Sequence, residues 1–228
     1  MHIGNDKIVR QIIGIPMGTN PAVFIANFYC FTYELEFIES LIERKMFGAL
    51  DCFEYTLRYI DDLLSINNPF FEIFATTSND KVVMADIKGI YPKSLTVNLE
   101  QKSFDKVSFL DTELYFKKYT LYTRIYDKRE HPPLNRVPKI LYPNISSFLG
   151  ETAIYGCILG ELVRYERLSS TKAEFIKRAR KFLKVLHEKN KYDKNIIKKY
   201  VKRFLNKYKY IFNINSTSFL KVLTNFLD

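Results

Sequence analysis

Phe53-Glu54-Tyr55-Thr56-Leu57-Arg58-Tyr59-Ile60-Asp61-Asp62-Leu63-Leu64-Ser65-Ile66 decides how this chain is read. Phe53, Tyr55, Leu57 and Tyr59 alternate with Glu54, Thr56 and Arg58, the period-2 pattern of a strand whose aromatic face is half-buried. Leu63 to Ile66 is a short apolar run, closed by the breakers Asn67-Asn68-Pro69. Tyr59-Ile60-Asp61-Asp62 therefore falls at the tip of a predicted antiparallel hairpin. Adjacent carboxylates repel one another unless a cation lies between or beside them. Mg²⁺ suits that role, because it takes one or two carboxylates plus substrate phosphates. A solvated Asp-Asp turn is spelled the same way, so the neighbours must decide.

About forty residues upstream lies Arg10-Gln11-Ile12-Ile13-Gly14-Ile15-Pro16-Met17-Gly18-Thr19-Asn20-Pro21. Gly14 and Gly18 bracket Pro16, so the backbone is stiff in the middle and permissive at both ends. Such a loop can bring main chain close to a ligand. Asn20-Pro21 predicts a helix start. Helical spacing continues through Phe24, Phe28, Phe31, Leu35 and Ile38, and the apolar run from Ala22 to Tyr33 predicts a buried helix. That run is too short to span a bilayer, and no membrane partner is expected.

With these motifs the sequence resembles the reverse transcriptase family. Gly14-Ile15-Pro16-Met17-Gly18-Thr19-Asn20-Pro21 looks like that family's loop-and-helix element under the template and nascent base pair. Tyr59-Ile60-Asp61-Asp62 looks like its catalytic hairpin. Val107-Ser108-Phe109-Leu110-Asp111-Thr112-Glu113-Leu114-Tyr115-Phe116 is similar to its primer-gripping hairpin. The Phe109-Leu110-Asp111 signature, with Tyr91-Pro92 before it and the segment from Arg164 to Leu168 after it, is most like the Penelope-like retroelement branch. The resemblance runs from about Lys7 to about Tyr208, strongest in the first 120 residues.

It implies an α+β fold: part of a right-hand polymerase palm, an antiparallel sheet with helices, followed by a mainly helical thumb. The implied domains are a palm over 1–127, a connection over 128–145, a basic thumb over 146–212 and a last segment of undisclosed role over 213–228. The implied activity is RNA-directed DNA synthesis, nucleotidyl transfer to a primer 3′-hydroxyl with two Mg²⁺ (or Mn²⁺) ions about 4 Å apart. RNA template, DNA primer and dNTP would be the partners, in a eukaryotic nucleus. Asp61 would be the firm metal ligand and Asp62 its support, with Tyr59 beside the primer end. Gln11, Gly14, Pro16 and Gly18 would shape the nucleotide and template pocket. Phe109, Leu110 and Asp111 would grip the primer, and Lys93, which follows Tyr91-Pro92, is a candidate acid for the leaving pyrophosphate, with a solvated surface lysine as the alternative reading. Such polymerases take a further aspartate from a strand well ahead of the glycine loop. Only thirteen residues precede Gly14, and Asp6 lies in a predicted turn too close to serve. The stretch therefore reads as a fragment of a longer chain, a truncated element copy, or half of a split enzyme whose fingers and palm segment lies on a second protein, and alone it is expected not to polymerise.

The 228 residues are 47% hydrophobic and 26% charged, a globular and not a disordered composition. Sixteen Tyr and 19 Phe, with no Trp, supply many flat side chains, some of which could stack on bases. Cys30, Cys52 and Cys157 lack CxxC spacing, which argues against a disulfide framework or structural zinc. The net charge is +10, but Glu161 to Phe212 holds 17 basic against 5 acidic residues, a net of +12, leaving about −2 for the rest.

That basic third predicts helices. Thr171-Lys172-Ala173-Glu174 has capping-box spacing, and Phe175, Ala179, Phe182, Leu183 and Leu186 share a face. Lys177, Arg178, Arg180, Lys181 and Lys184 line the other. Asp193 can cap a second helix with apolar Ile196, Ile197, Tyr200, Val201, Phe204 and Leu205 and polar Lys194, Lys198, Lys199, Lys202 and Arg203. Of these cations, Lys177, Arg178, Lys181, Lys198 and Lys202 are the candidate phosphate ligands. A helix and a strand are expected within residues 79–98 and a hairpin within 103–122.

Overall fold

The computed structural model describes residues 2–3, 7–8, 14–15, 19–100, 103, 105–132, 134–136, 142–208 and 216–227. Helices are mixed with small antiparallel sheets, as an α+β chain requires. The elements fall into two compact units, Met1–Glu100 and Gln101–Asp228. The division lies ahead of the expected palm boundary at residue 127.

The first unit contains β1 (His2–Ile3) and β2 (Lys7–Ile8), α1 (Ala22–Glu43), α2 (Phe47–Cys52), β3 (Thr56–Tyr59), β4 (Asp62–Ser65), α3 (Phe71–Thr76), β5 (Val82–Met84) and β6 (Ile87–Lys88). Helix α1 begins just after Pro21 without a side-chain cap, so Asn20 does not cap it. It ends in a Schellman arrangement. Lys45 takes φ 56°, the Met46 N–H donates to Leu41 O at 2.9 Å, and the Lys45 N–H donates to Ile42 O at 3.0 Å. Phe37, Leu41, Ala49, Phe74, Ala75, Ile87, Ile90 and Tyr91 form the core. Phe37 packs on Phe53 and Phe74 with ring centroids 5.1 and 4.9 Å apart.

Two expectations fail here. Phe24 and Phe28 on α1 are each 69% exposed, and Phe31 and Leu35 also face solvent. The inward residues of the same helix are Asn27, Cys30, Glu34, Phe37, Ile38 and Leu41. The face of β3 is reversed as well: Tyr55, Leu57 and Tyr59 are exposed, while Thr56 and Arg58 turn inward. A polar set that satisfies itself occupies the interior positions, and the aromatic rings lie outside. Residues 79–98 hold the β5–β6 hairpin and no helix; the helix of this region is α3, which ends before them.

The second unit opens with a three-stranded antiparallel meander, β7 (Lys106–Phe109), β8 (Thr112–Lys117) and β9 (Thr120–Ile125), one strand more than the expected hairpin. Two short 3₁₀ turns, Lys128–Glu130 and Leu134–Arg136, follow within the expected connection. Helices α4 (Glu151–Leu168), α5 (Lys172–Glu188), α6 (Lys194–Lys207) and α7 (Ser216–Thr224) complete the unit. Strand β9 packs against α4 and α5, which is why the meander belongs with the helices.

Both expected caps are present. Thr171 Oγ1 accepts from the Glu174 N–H at 3.3 Å, and Asp193 Oδ1 accepts from the N–H groups of Asn195 and Ile196 at 2.8 and 3.0 Å. Phe175, Ala179, Phe182, Leu183 and Leu186 are buried as expected, together with Ile197, Val201, Phe204 and Leu205. Helix α7 gives the last segment a structural role. Phe219, Leu223 and the following Leu227 enter the helical core, and the Phe219 ring stacks on Phe175 with centroids 6.1 Å apart. No helix among the described residues is long and apolar enough to cross a membrane.

Candidate functional site

Strands β3 and β4 pair in the register Thr56↔Ser65, Leu57↔Leu64, Arg58↔Leu63 and Tyr59↔Asp62. At the base of the hairpin Thr56 Oγ1 and Ser65 Oγ are hydrogen-bonded at 2.7 Å. The register leaves Ile60-Asp61 as a two-residue connection. Of this pair only Ile60 has positive φ, at 56°. That is the type II′ pattern, in which glycine is favoured at the first position. A β-branched residue there is strained, and such strain clusters at functional sites.

The turn resolves the problem of two adjacent acids on one strand. Asp61 belongs to the turn and Asp62 to the first position of β4, so strand alternation does not force them onto opposite faces. Tyr59 is cross-strand partner of Asp62, shares its face and is 54% exposed. It is not a core residue. Asp61 is exposed and Asp62 half-buried, and among the described residues neither has an ion-pair partner. Their donor set is oxygen only, which suits a hard divalent cation completed by substrate phosphates. No group of three His, Cys, Asp or Glu side chains able to hold a metal occurs among the described residues.

The tip is anchored from behind. The Arg58 guanidinium donates from Nε to Glu34 Oε1 at 2.6 Å and from Nη2 to Glu34 Oε2 at 3.1 Å. Its Nη1 donates to Asn27 Oδ1 at 2.7 Å and to Ile60 O at 3.4 Å, and Nη2 also donates to Asn27 O at 3.1 Å. The Tyr91 hydroxyl donates to Glu34 Oε1 at 2.7 Å. Hydrogen bonding to Glu34 holds the Arg58 proton even more firmly than usual. Burial, and then the bond to Glu34, pushes the Tyr91 hydroxyl far above its ordinary pKa. Sequence reasoning missed this set. The signal was Asn27 and Glu34, seven residues apart and so on one helical face, opposite an arginine at an inward strand position.

Of the glycine-bounded loop, Gly14 has φ 86°, a conformation that glycine adopts without strain. Gln11, Pro16 and Gly18 lie outside the described residues, as does Asp6. Lys93 is exposed.

The second candidate turn has the same build. Phe109 pairs with Thr112 across Leu110-Asp111, and Leu110 has φ 53°. Here the acid has a cation: Arg164 Nη2 on α4 lies 2.7 Å from Asp111 Oδ2, and the Tyr126 N–H donates to Asp111 O at 2.8 Å. The Phe109-Leu110-Asp111 turn is thus strapped to a helix, whereas the carboxylates of the Ile60-Asp61 turn have no ion-pair partner among the described residues.

Among the candidate phosphate ligands, Lys177 and Lys202 are exposed and Lys198 is half-buried. Lys181 Nζ lies 2.8 Å from Glu130 Oε2. Arg178 does not fit the expectation. Its side chain is only 17% exposed; Nη2 donates to Asp127 Oδ2 at 2.9 Å, Nη1 to Glu130 Oε1, and the guanidinium lies over the Tyr165 ring at 5.6 Å. Burial favours the neutral acid at Asp127, but hydrogen bonds from Arg129 and Arg178 outweigh it and hold the carboxyl well below its usual range. Arg178 is thus engaged within the fold by Asp127, Glu130 and Tyr165, which the sequence did not disclose because helical periodicity cannot tell a solvated face from one covered by a loop.

Comparison with protein-family models, with curated proteins and with solved structures gave no match. Only the chain's own geometry bears on its function.

Proposed function

We propose that this chain is the palm and thumb region of a reverse transcriptase, an RNA-directed DNA polymerase of a Penelope-like retroelement. Asp61, with Asp62 supporting it, would hold Mg²⁺ or Mn²⁺, and the exposed lysines of α5 and α6 would hold the phosphates of an RNA template and DNA primer. The bound ions would neutralise charge on the attacking 3′-hydroxyl and the leaving pyrophosphate of a dNTP. Tyr59, on the face of Asp62, would touch the primer end. The observation that carries the proposal is a strained II′ turn presenting two carboxylates that have no cation partner among the described residues.

The test is a Mn²⁺ titration of the isotope-labelled chain. Selective broadening of the Asp61 and Asp62 amide signals is expected, with loss of that effect in the Asp61→Asn, Asp62→Asn double variant. Broadening that ignores the substitutions rejects the site. Extension of a DNA primer on an RNA template by the isolated chain is expected to be undetectable, since no third carboxylate joins the pair among the described residues. That same shortage favours a second reading, a non-catalytic nucleic-acid-binding module. Unchanged primer–template affinity after Asp61→Ala and Asp62→Ala, with no metal response, would select it.

A further inference from the structure

The geometry points to Arg58 as the residue that positions the acidic turn, with Glu34 keeping its charge away from the two aspartates; this rests on the metal-binding reading above. A guanidinium has five N–H donors in a fixed fork. All five are used here, on Glu34 Oε1 and Oε2, Asn27 Oδ1 and O, and Ile60 O. The Arg58 side chain is 12% exposed. Four of the bonds go to one face of α1, and the fifth goes to the carbonyl of the strained residue itself. Fixing the Ile60 carbonyl fixes the plane of the Ile60–Asp61 peptide, and hence the direction in which the Asp61 side chain sets out. The fork converts a rigid helix into a support for a turn that an isoleucine would not adopt unaided.

Glu34 answers an electrostatic difficulty. An arginine two residues from Ile60 and three from Asp61 could pair with either aspartate and compete with a cation. Bidentate pairing with Glu34 neutralises it in place, and the Tyr91 hydroxyl holds Glu34 in turn. The acids are left without an ion-pair partner among the described residues, while the arginine acts only through geometry.

The test compares the full chain with Arg58→Lys, which keeps the charge and loses the fork, and with Tyr91→Phe, which removes only the outermost bond. The first readout needs no metal. A residue at positive φ gives a strong intraresidue cross-peak between its amide and α protons, and Ile60 should lose it in Arg58→Lys while the signals of Phe74 and Ile87 stay in place. The second readout is Mn²⁺ affinity at the Asp61 amide, expected to weaken about tenfold in Arg58→Lys and less than about twofold in Tyr91→Phe. Glu34→Gln should also weaken it, through an Arg58–aspartate pair. Should Arg58→Lys fail to fold, Asn27→Ala removes one acceptor and should show the same change of sign at Ile60 in a fraction of molecules. Retention of the Ile60 cross-peak and of wild-type Mn²⁺ affinity in Arg58→Lys overturns the inference. Absence of any Mn²⁺ response in the unaltered chain sinks the polymerase reading instead, and the Ile60 cross-peak still decides what Arg58 does.

Discussion

Replacing Arg178 by Met separates a structural cation from a phosphate ligand. The substitution keeps much of the side chain's length and removes its charge. Asp127, whose side chain is 8% exposed, and Glu130 both lose a partner, along with the contact to Tyr165. Breaking a buried pair from one side costs about 3–5 kcal/mol. Each acid here keeps a second cation, Arg129 at 2.7 Å for Asp127 and Lys181 at 2.8 Å for Glu130. The expected loss is therefore smaller, about 2 kcal/mol, or a fall in Tm of roughly 6–8 °C for a unit of this size. Thermal unfolding followed by circular dichroism measures it. The acids have lowered folded pKa values, so their contribution is present above the ordinary carboxylate range and is lost as pH falls. The gap between wild type and variant should accordingly narrow below about pH 4. A salt series of primer–template binding completes the experiment, with an unchanged salt slope expected. An unaltered Tm together with weaker binding and a shallower slope would refute the structural role.

Lys177→Ala with Lys202→Ala should lower primer–template affinity and reduce the salt slope by about 2, without changing Tm. Gly89→Ala should destabilise the first unit by about 3 kcal/mol in urea titration, because its Cβ would lie 1.8 Å from Thr77 O, a backbone atom that cannot step aside. Asp193→Ala should cost about 1 kcal/mol by the same assay, since two N–H groups at the start of α6 lose their acceptor.

The basic helices were legible because their physics is local. A cap, a 3.6-residue apolar stripe and lysines opposite it needed no knowledge of the rest of the chain, and Thr171, Asp193 and Leu183 stand where that pattern put them. The hairpin was legible for a similar reason, from two short runs and an acidic break. What failed was the side each element turns inward. Apolarity assigns aromatic residues to the interior, but Asn27, Glu34 and Arg58 saturate one another and so can be enclosed at little cost. That mutual satisfaction joins residues 24 or more positions apart, beyond the reach of any periodicity. Arg178 misled by the same route, since its acids lie about fifty residues earlier.

The solvent-facing phenylalanines of α1 have a practical consequence. Phe24, Phe28 and Phe31 present an apolar surface in the fully folded protein. A fluorescent dye such as ANS, which lights up on exposed hydrophobic surface, should therefore glow with the native chain. Dye-based melting curves would begin high and report the wrong event, so unfolding of this protein must be followed by its peptide absorption.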